Sequence, residues 1–225
     1  MNYSELVNTG LYKFYCEDKN GPLILKNRTI PISIMPEEFD MITKLIIENN
    51  CKRGYEIATG FGISALAAGL GFSKTGGKLV TLDAYIEENY NLGENYHNVS
   101  KTLNYNSDGY KSIWFLINKY SMEKVIFPKI GWSPDDVYLT LKSEFDDIDE
   151  NKLDYVFIDG DHRMGAVKRD VLSIKNYVDS NTLFLFHDMT GDFRKNVNEL
   201  LKETFGKELS IIVPYPKGFD LAKLI

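Results

Sequence analysis

Short continuous apolar runs alternate along the chain with stretches whose apolar residues return every three or four positions. The runs lie in "RGYEIATG", "GKLVTLDAY", "EKVIFPKIG", "LDYVFID" and "NTLFLFHD". Their length and β-branched and aromatic content predict strands. Between them, "MPEEFDMITKLIIENN", "ISALAAGLG", "YKSIWFLINKY", "SPDDVYLTLKSEF" and "FRKNVNELLKETFG" predict helices. A further helix follows "LDYVFID" and carries Val167, Val171, Ile174 and Val178 as one stripe. In the first helix Phe39, Ile42, Leu45 and Ile46 form the apolar face. Pro36 suits its first position, and Glu37 and Glu38 suit the positive end of its dipole. Gly71 reads as the stop of the second helix, Ser133 as an N-cap with Pro134 behind it, and Pro128 as the mark of an edge strand. Two late strands, "LSIIVPY" and "FDLAKLI", are joined by "PKG". Strands alternating with helices, several of them apolar throughout, predict an α/β domain with a parallel sheet covered on both faces.

Such sheets bind ligands beyond the carboxyl ends of their strands, near the point where the strand order reverses. Three predicted strands end there on acids: Asp83, Asp159 and Asp188. Carboxylates and imidazoles are costly to bury, so "DGDH" after the apolar run at Tyr155–Ile158 marks a place where something binds. The composition narrows what that is. The 225 residues carry 26 basic and 32 acidic side chains, a net charge of -6, which argues against a nucleic-acid partner. No apolar run approaches the roughly 20 residues needed to cross a bilayer, and the start "MNYSELVNTG" lacks a basic-then-apolar leader. Cys16 and Cys51 form no metal-type pair. The expectation is a single cytoplasmic domain over 1–225 with no membrane partner. Residues 1–35 read as an N-terminal extension, and the Tyr- and Asn-rich stretch 86–106 as either a lid over substrate or a surface insertion. His97 falls in that stretch, and Tyr85, Tyr90 and Tyr96 are its candidates for stacking on a ring or sugar.

"EIATGFGIS" couples a strand to a helix through Gly60 and Gly62, which permit a tight turn and close approach of a ligand to the helix N-terminus. The dinucleotide fingerprint is incomplete, because Ala65 stands where a third glycine belongs. Asp83 lies 21 residues after Gly62, where a carboxylate accepts hydrogen bonds from both hydroxyls of a ribose. "KRD" at Lys168–Asp170 reads as a solvated charge run.

Taken together and in order, "YEIATGFGIS", "VTLDAY", "GWSPDD", "VFIDGDH" and "FLFHDM" resemble a class I S-adenosylmethionine-dependent methyltransferase. The likeness is to the small catechol-type and the macrocin- and cephalosporin-type O-methyltransferases, over roughly Pro36 to Met189. It implies a Rossmann-like doubly wound sheet of about seven strands, mostly parallel, with an antiparallel last strand. Glu56 would sit near the amino-acid moiety of S-adenosylmethionine, with Gly60, Gly62 and Ser64 lining it. Ala58 replaces a residue that is often glycine. Asp83 would take the ribose, and Ser133 would reach adenine with Trp132 packed nearby. In metal-dependent members a carboxylate after the fourth strand and a pair after the fifth hold one divalent ion, which falls here on Asp159, His187 and Asp188. Mg²⁺ or another divalent metal is therefore an open expectation, and His187 would either ligate it or shape the pocket. His162 stands where catechol-type enzymes place a basic residue, so His162 is the candidate base, with Asp161 to orient it and Asp159 beside it.

The acceptor implied is a small molecule with a hydroxyl, such as a sugar, a glycosylated metabolite or a phenol. N-methylation is the near alternative. A nucleotide-sugar or NAD-dependent enzyme on a similar fold, and a non-catalytic cofactor-binding module, are the readings it competes with. Homo-oligomerisation is left open by the sequence.

Overall fold

In a computed structural model of the chain, residues 34–85, 108–214 and 220–225 are described. The insertion 86–106, with His97, and nearly all of the 1–35 extension lie outside them. The order of elements is α1 (Pro36–Glu48), β1 (Arg53–Ile57), α2 (Ile63–Thr75), β2 (Lys78–Asp83), α3 (Asp108–Tyr120), β3 (Ile126–Ile130), α4 (Val137–Glu144), β4 (Tyr155–Ile158), α5 (Met164–Ile174), β5 (Leu183–Phe186), α6 (Gly191–Phe205), β6 (Leu209–Val213) and β7 (Leu221–Leu224). The sheet runs β3-β2-β1-β4-β5-β7-β6. β1 to β5 are parallel to one another, and β7 is antiparallel to both β5 and β6. The Rossmann-like doubly wound sheet with an antiparallel last strand is thus the observed architecture.

The strand pattern explains the two layers. Successive side chains of a strand point to opposite faces. Tyr155 and Phe157 enter one core with Leu183 and Leu185. Val156 and Ile158 enter the other with Phe184 and Phe186. Helices α1, α2 and α3 cover the first face, and α4, α5 and α6 the second. Both faces are dry, which is why these strands read as continuous apolar runs rather than as alternating ones. The strand order reverses between β1 and β4, so the crevice expected of such sheets opens beyond Ile57 and Ile158.

Three local expectations change. Gly71 lies inside α2, which ends at Gly76 in the left-handed conformation with φ 75°. Gly71 serves close packing instead: a Cβ there would lie 2.8 Å from Ile46 Cβ and 3.1 Å from the Thr43 carbonyl. Ser133 is no N-cap, because α4 starts only at Val137 after a turn, with Asp136 in the cap position. Tyr85 is core rather than lid: it is buried and meets Tyr110 edge-on at 5.4 Å. Pro128 does lie on an edge strand, β3.

Candidate active site

The β1–α2 turn and the tip of β2 are built as one unit. Gly62 caps α2 with φ 85°, and a Cβ there would strike Ile113 Cδ1 at 2.5 Å. Gly60, φ 52°, is exposed, and its N–H donates to Asp83 Oδ2 at 2.8 Å. Tyr85 N–H donates to Asp83 Oδ1 at 2.6 Å. Burial lifts the Asp83 pKa above its ordinary value, and the backbone N–H groups of Gly60, Tyr85 and Thr59 work against that lift. Beneath the turn, Ser64 Oγ donates to Glu56 Oε1 at 2.8 Å. Glu56 is fully buried, and its Oε2 has no hydrogen-bond partner among the described residues. Burial holds its carboxyl far above the usual range. Ala58 follows β1 with φ 75°, a conformation that costs a residue with a Cβ about 1 kcal/mol or more. Strain at a strand tip of this kind clusters at ligand sites.

Beyond the β1 and β4 tips lies a cavity of about 660 Å³. Ala58, Asp83, Trp132, Ser133, Asp159 and His162 line it, drawn from β1, β2, the β3–α4 connection and the β4–α5 connection. The structure brings these sequence-predicted residues together. Glu56, Gly60, Gly62 and Ser64 are not in its lining, and sit in and under the β1–α2 turn. The backbone N–H of Trp132 donates to Asp136 Oδ2 at 2.8 Å, which shapes the "GWS" turn.

The "DGDH" and "HD" segments meet at the tips of β4 and β5. His187 is buried, and both of its ring nitrogens face carboxylates. Nδ1 is 3.1 Å from Asp159 Oδ1, and Nε2 is 3.1 Å from Glu38 Oε2. Burial alone would lower the imidazole pKa, but the Asp159 and Glu38 charges and hydrogen bonds reverse this and carry it to about 11. His187 is therefore a protonated clamp that donates on both sides. Asp188, φ 56°, turns one oxygen to His187 Nδ1 at 3.3 Å and the other to His162 Nε2 at 3.3 Å. Burial raises its pKa, and His187 opposes that.

His162 is about half exposed and stands edge-on to the Phe193 ring at 5.4 Å. Its carboxylate neighbours are Asp188 and, at 3.9 Å, Asp159. Asp161, the expected orienting acid, turns away. Arg163 takes its carboxylate through Nε at 2.7 Å and through Nη2, and its backbone N–H donates as well. Those contacts outweigh burial and hold Asp161 below the ordinary carboxylate range.

Among the described residues, Asp159, His162 and Asp188 offer ligand atoms within 4.8 Å of one another, a set compatible with a divalent ion. It contains His162; His187, the residue expected from the sequence, lies beside it with Nδ1 facing the same Asp159 and Asp188 and Nε2 facing Glu38.

Sequence reasoning missed two residues here. Glu38 looked like a helix-start acid. It is instead buried, accepts the Met35 N–H at 2.6 Å and the His187 Nε2–H, and ties α1 to the β5 tip. Its place next to Phe39, on the inward side of α1, was the available signal. Asp170 looked solvated, yet it is buried and lines the cavity. It falls three residues after Val167 and one before Val171, on the inward face of α5.

A family model described as a methyltransferase domain matches residues 56–189. A search of curated proteins finds no match. Among solved structures, cofactor-bound Rv0187 from MTB aligns with a TM-score of 0.62 at 14% identity, covering 97% of this chain and 95% of that one. The O-methyltransferase from Bacillus cereus, solved in complex with SAH, aligns at 0.58 and 16% identity over 87% of this chain and 84% of that one. The SAH-bound Podospora anserina methyltransferase PaMTH1 aligns at 0.57 and 14% identity over 99% and 94%. At such identities the likeness is one of fold.

Proposed function

The chain belongs to the methyltransferase-domain family, of the class I S-adenosylmethionine-dependent type, and from that premise we propose that it methylates a hydroxyl of a small molecule. The observation that carries this reading is the cavity at the strand-order reversal. There the Asp83 carboxylate, braced by the Gly60 and Tyr85 N–H groups, opens onto the same space as Ser133, Asp159 and His162. The residues fit the cofactor. Asp83 suits ribose hydroxyls, and Glu56, buried under the β1–α2 turn with Oε2 unpartnered among the described residues, would favour a positively charged amino group approaching that turn.

S-adenosylmethionine supplies an electrophilic methyl on a sulfonium, and what remains for the protein is alignment and removal of one proton. His162 is the group for that proton. With Nε2–H donating to Asp188 Oδ2, Nδ1 is the nitrogen left to accept it. Asp188 is the orienting carboxylate, and Phe193 supports the ring face-to-edge.

A second reading rests on the Asp159, His162 and Asp188 cluster. These three would hold a divalent ion, which would acidify the acceptor hydroxyl as a Lewis acid. One imidazole with two carboxylates suits Mn²⁺, Fe²⁺ or Zn²⁺ better than Ca²⁺, and Mg²⁺ is also accommodated. His162 cannot serve as free base and ligand at once, so the two readings separate cleanly.

The test is turnover on a panel of sugars, glycosylated metabolites and phenols, read by mass spectrometry with Mg²⁺, with Mn²⁺ and with EDTA. Methylated product that persists in EDTA and falls about 100-fold or more in His162→Ala supports the base reading. Loss of product in EDTA supports the metal reading. Unchanged turnover in His162→Ala refutes both roles for His162.

A further inference from the structure

Glu38 stands in the first turn of α1, where its neighbours Ile34, Phe39 and Ile42 are fully buried. It is itself only 1% exposed, and its Oε1 has no hydrogen-bond partner among the described residues. Capping the helix does not require that burial, because an acid at a helix start serves the free N–H groups equally well from the solvent side. The other half of the pair, His187, is 7% exposed and has the Phe157 ring at 6.2 Å. A buried acid–imidazole pair gives a fold little that two apolar side chains of similar volume would not give. What it adds is direction. Glu38 Oε2 accepts from Nε2 at 3.1 Å, and a carboxylate on one ring nitrogen fixes the rotation of the imidazole and the line along which the other nitrogen points. That line ends on Asp159 Oδ1 at 3.1 Å and Asp188 Oδ1 at 3.3 Å. The same two acids then face His162 Nε2, Asp188 through Oδ2 at 3.3 Å and Asp159 through Oδ1 at 3.9 Å. Asp188 holds φ 56°, a conformation that a residue with a Cβ keeps only where its surroundings impose it.

Resting on the function proposed above, we infer that Glu38 is a positioning residue for methyl transfer: through the His187 ring it sets Asp159 and Asp188, and through them His162. Neither Glu38 nor His187 lines the cavity, so the pair acts from behind the site rather than on a bound reactant. His162 as base needs Asp188 in place, and an ion held by Asp159, His162 and Asp188 needs both carboxylates in place, so Glu38 serves either reading of the site. The role also gives α1, which lies outside the strand-tip motifs, a part in the chemistry.

The experiment compares the full chain with Glu38→Gln, Glu38→Met and the double variant Glu38→Met with His187→Phe. The chain has three histidines, so the ring nitrogens of His162 can be followed by long-range ¹H–¹⁵N NMR at fixed pH, identified as the signals lost in His162→Ala. Glu38→Met is expected to shift the His162 signals, and Glu38→Gln, whose amide oxygen still accepts from Nε2, to return them towards wild type. Calorimetric affinity for S-adenosylhomocysteine is expected to stay unchanged in both. With an acceptor from the panel above, kcat should fall about 10- to 100-fold in Glu38→Met, with KM little altered, and largely recover in Glu38→Gln. The double variant, with an apolar pair in place of the buried polar one, is expected to melt at or above the wild-type temperature and still to turn over slowly. It carries the same NMR readout should Glu38→Met alone fail to fold. His162 signals unmoved in the folded variants overturn the inference, and so does a double variant that regains turnover along with stability, because the pair would then be a structural clamp only. Failure of wild type to bind S-adenosylhomocysteine overturns the functional reading itself, an outcome distinct from unmoved His162 signals.

Discussion

Replacing Asp170 by asparagine removes one titrating group and little volume, so its effect on stability is calculable. Burial raises the Asp170 pKa from the ordinary 3.8 to about 6, against the help of Ser133 and Arg169. The folded chain therefore holds this proton more tightly than the unfolded chain does. By linkage, its contribution falls as pH rises from about 4 through about 6, and the full cost of burying the charge is present at pH 7. About two pH units at ~1.4 kcal/mol each come to about 3 kcal/mol. The groups that face it are Ser133 from the β3–α4 turn, Asp161 from the β4–α5 connection and Arg169 from its own helix. They are common to both proteins, so their own titration largely cancels in the difference. Urea unfolding of wild type and Asp170→Asn between pH 4 and pH 8 reads it directly. The two curves should converge near pH 4 and separate by about 3 kcal/mol at pH 7, with the asparagine variant the more stable. A gap independent of pH, or a wild type more stable at pH 7, would refute the buried-carboxylate account. A residue that weakens the fold at neutral pH is explained by a task at the cavity wall, since functional groups commonly cost stability.

Other substitutions test other joints of the structure. Gly71→Ala should lower stability by about 1–3 kcal/mol although alanine is the better helix former, because its Cβ would enter Ile46. An unchanged melting temperature would show that α1 and α2 can separate freely. Glu38→Ala leaves His187 with one carboxylate fewer in a buried setting and should cost about 3 kcal/mol or more, measured by chemical denaturation. A loss under about 1 kcal/mol would mean that water replaces the clamp. Ala58→Gly relieves a positive φ but frees the unfolded chain, so a net change within about 1 kcal/mol of zero is expected, whereas Ala58→Val should lose more than that. The opposite order in thermal melts would contradict the backbone reading.

Much of this was legible in the chain. Continuous apolar runs revealed a sheet covered on both sides, and acids closing three of them located the ligand edge, because parallel register brings strand tips side by side. What stayed hidden depends on pairings that topology alone decides. Glu38 and His187 are 149 positions apart, and nothing local to either announces the other. The choice of Asp188 over Asp161 as partner of His162 turns on Arg163, whose guanidinium sits close enough to capture the nearer acid. Ser133 resembled an N-cap because Ser-Pro often opens a helix, yet the turn through Asp136 delays α4 and sets Ser133 in the cavity lining beside Asp170. Asp170 was obscured by its charged neighbours, and only its register against Val167 and Val171 betrayed its direction.

The most direct measurement is calorimetric titration of the wild-type protein with S-adenosylhomocysteine, once with Mg²⁺ and once with EDTA, alongside Asp83→Ala. The account expects micromolar binding by wild type and a loss of about tenfold or more in Asp83→Ala. Absence of binding by wild type in both solutions would contradict it.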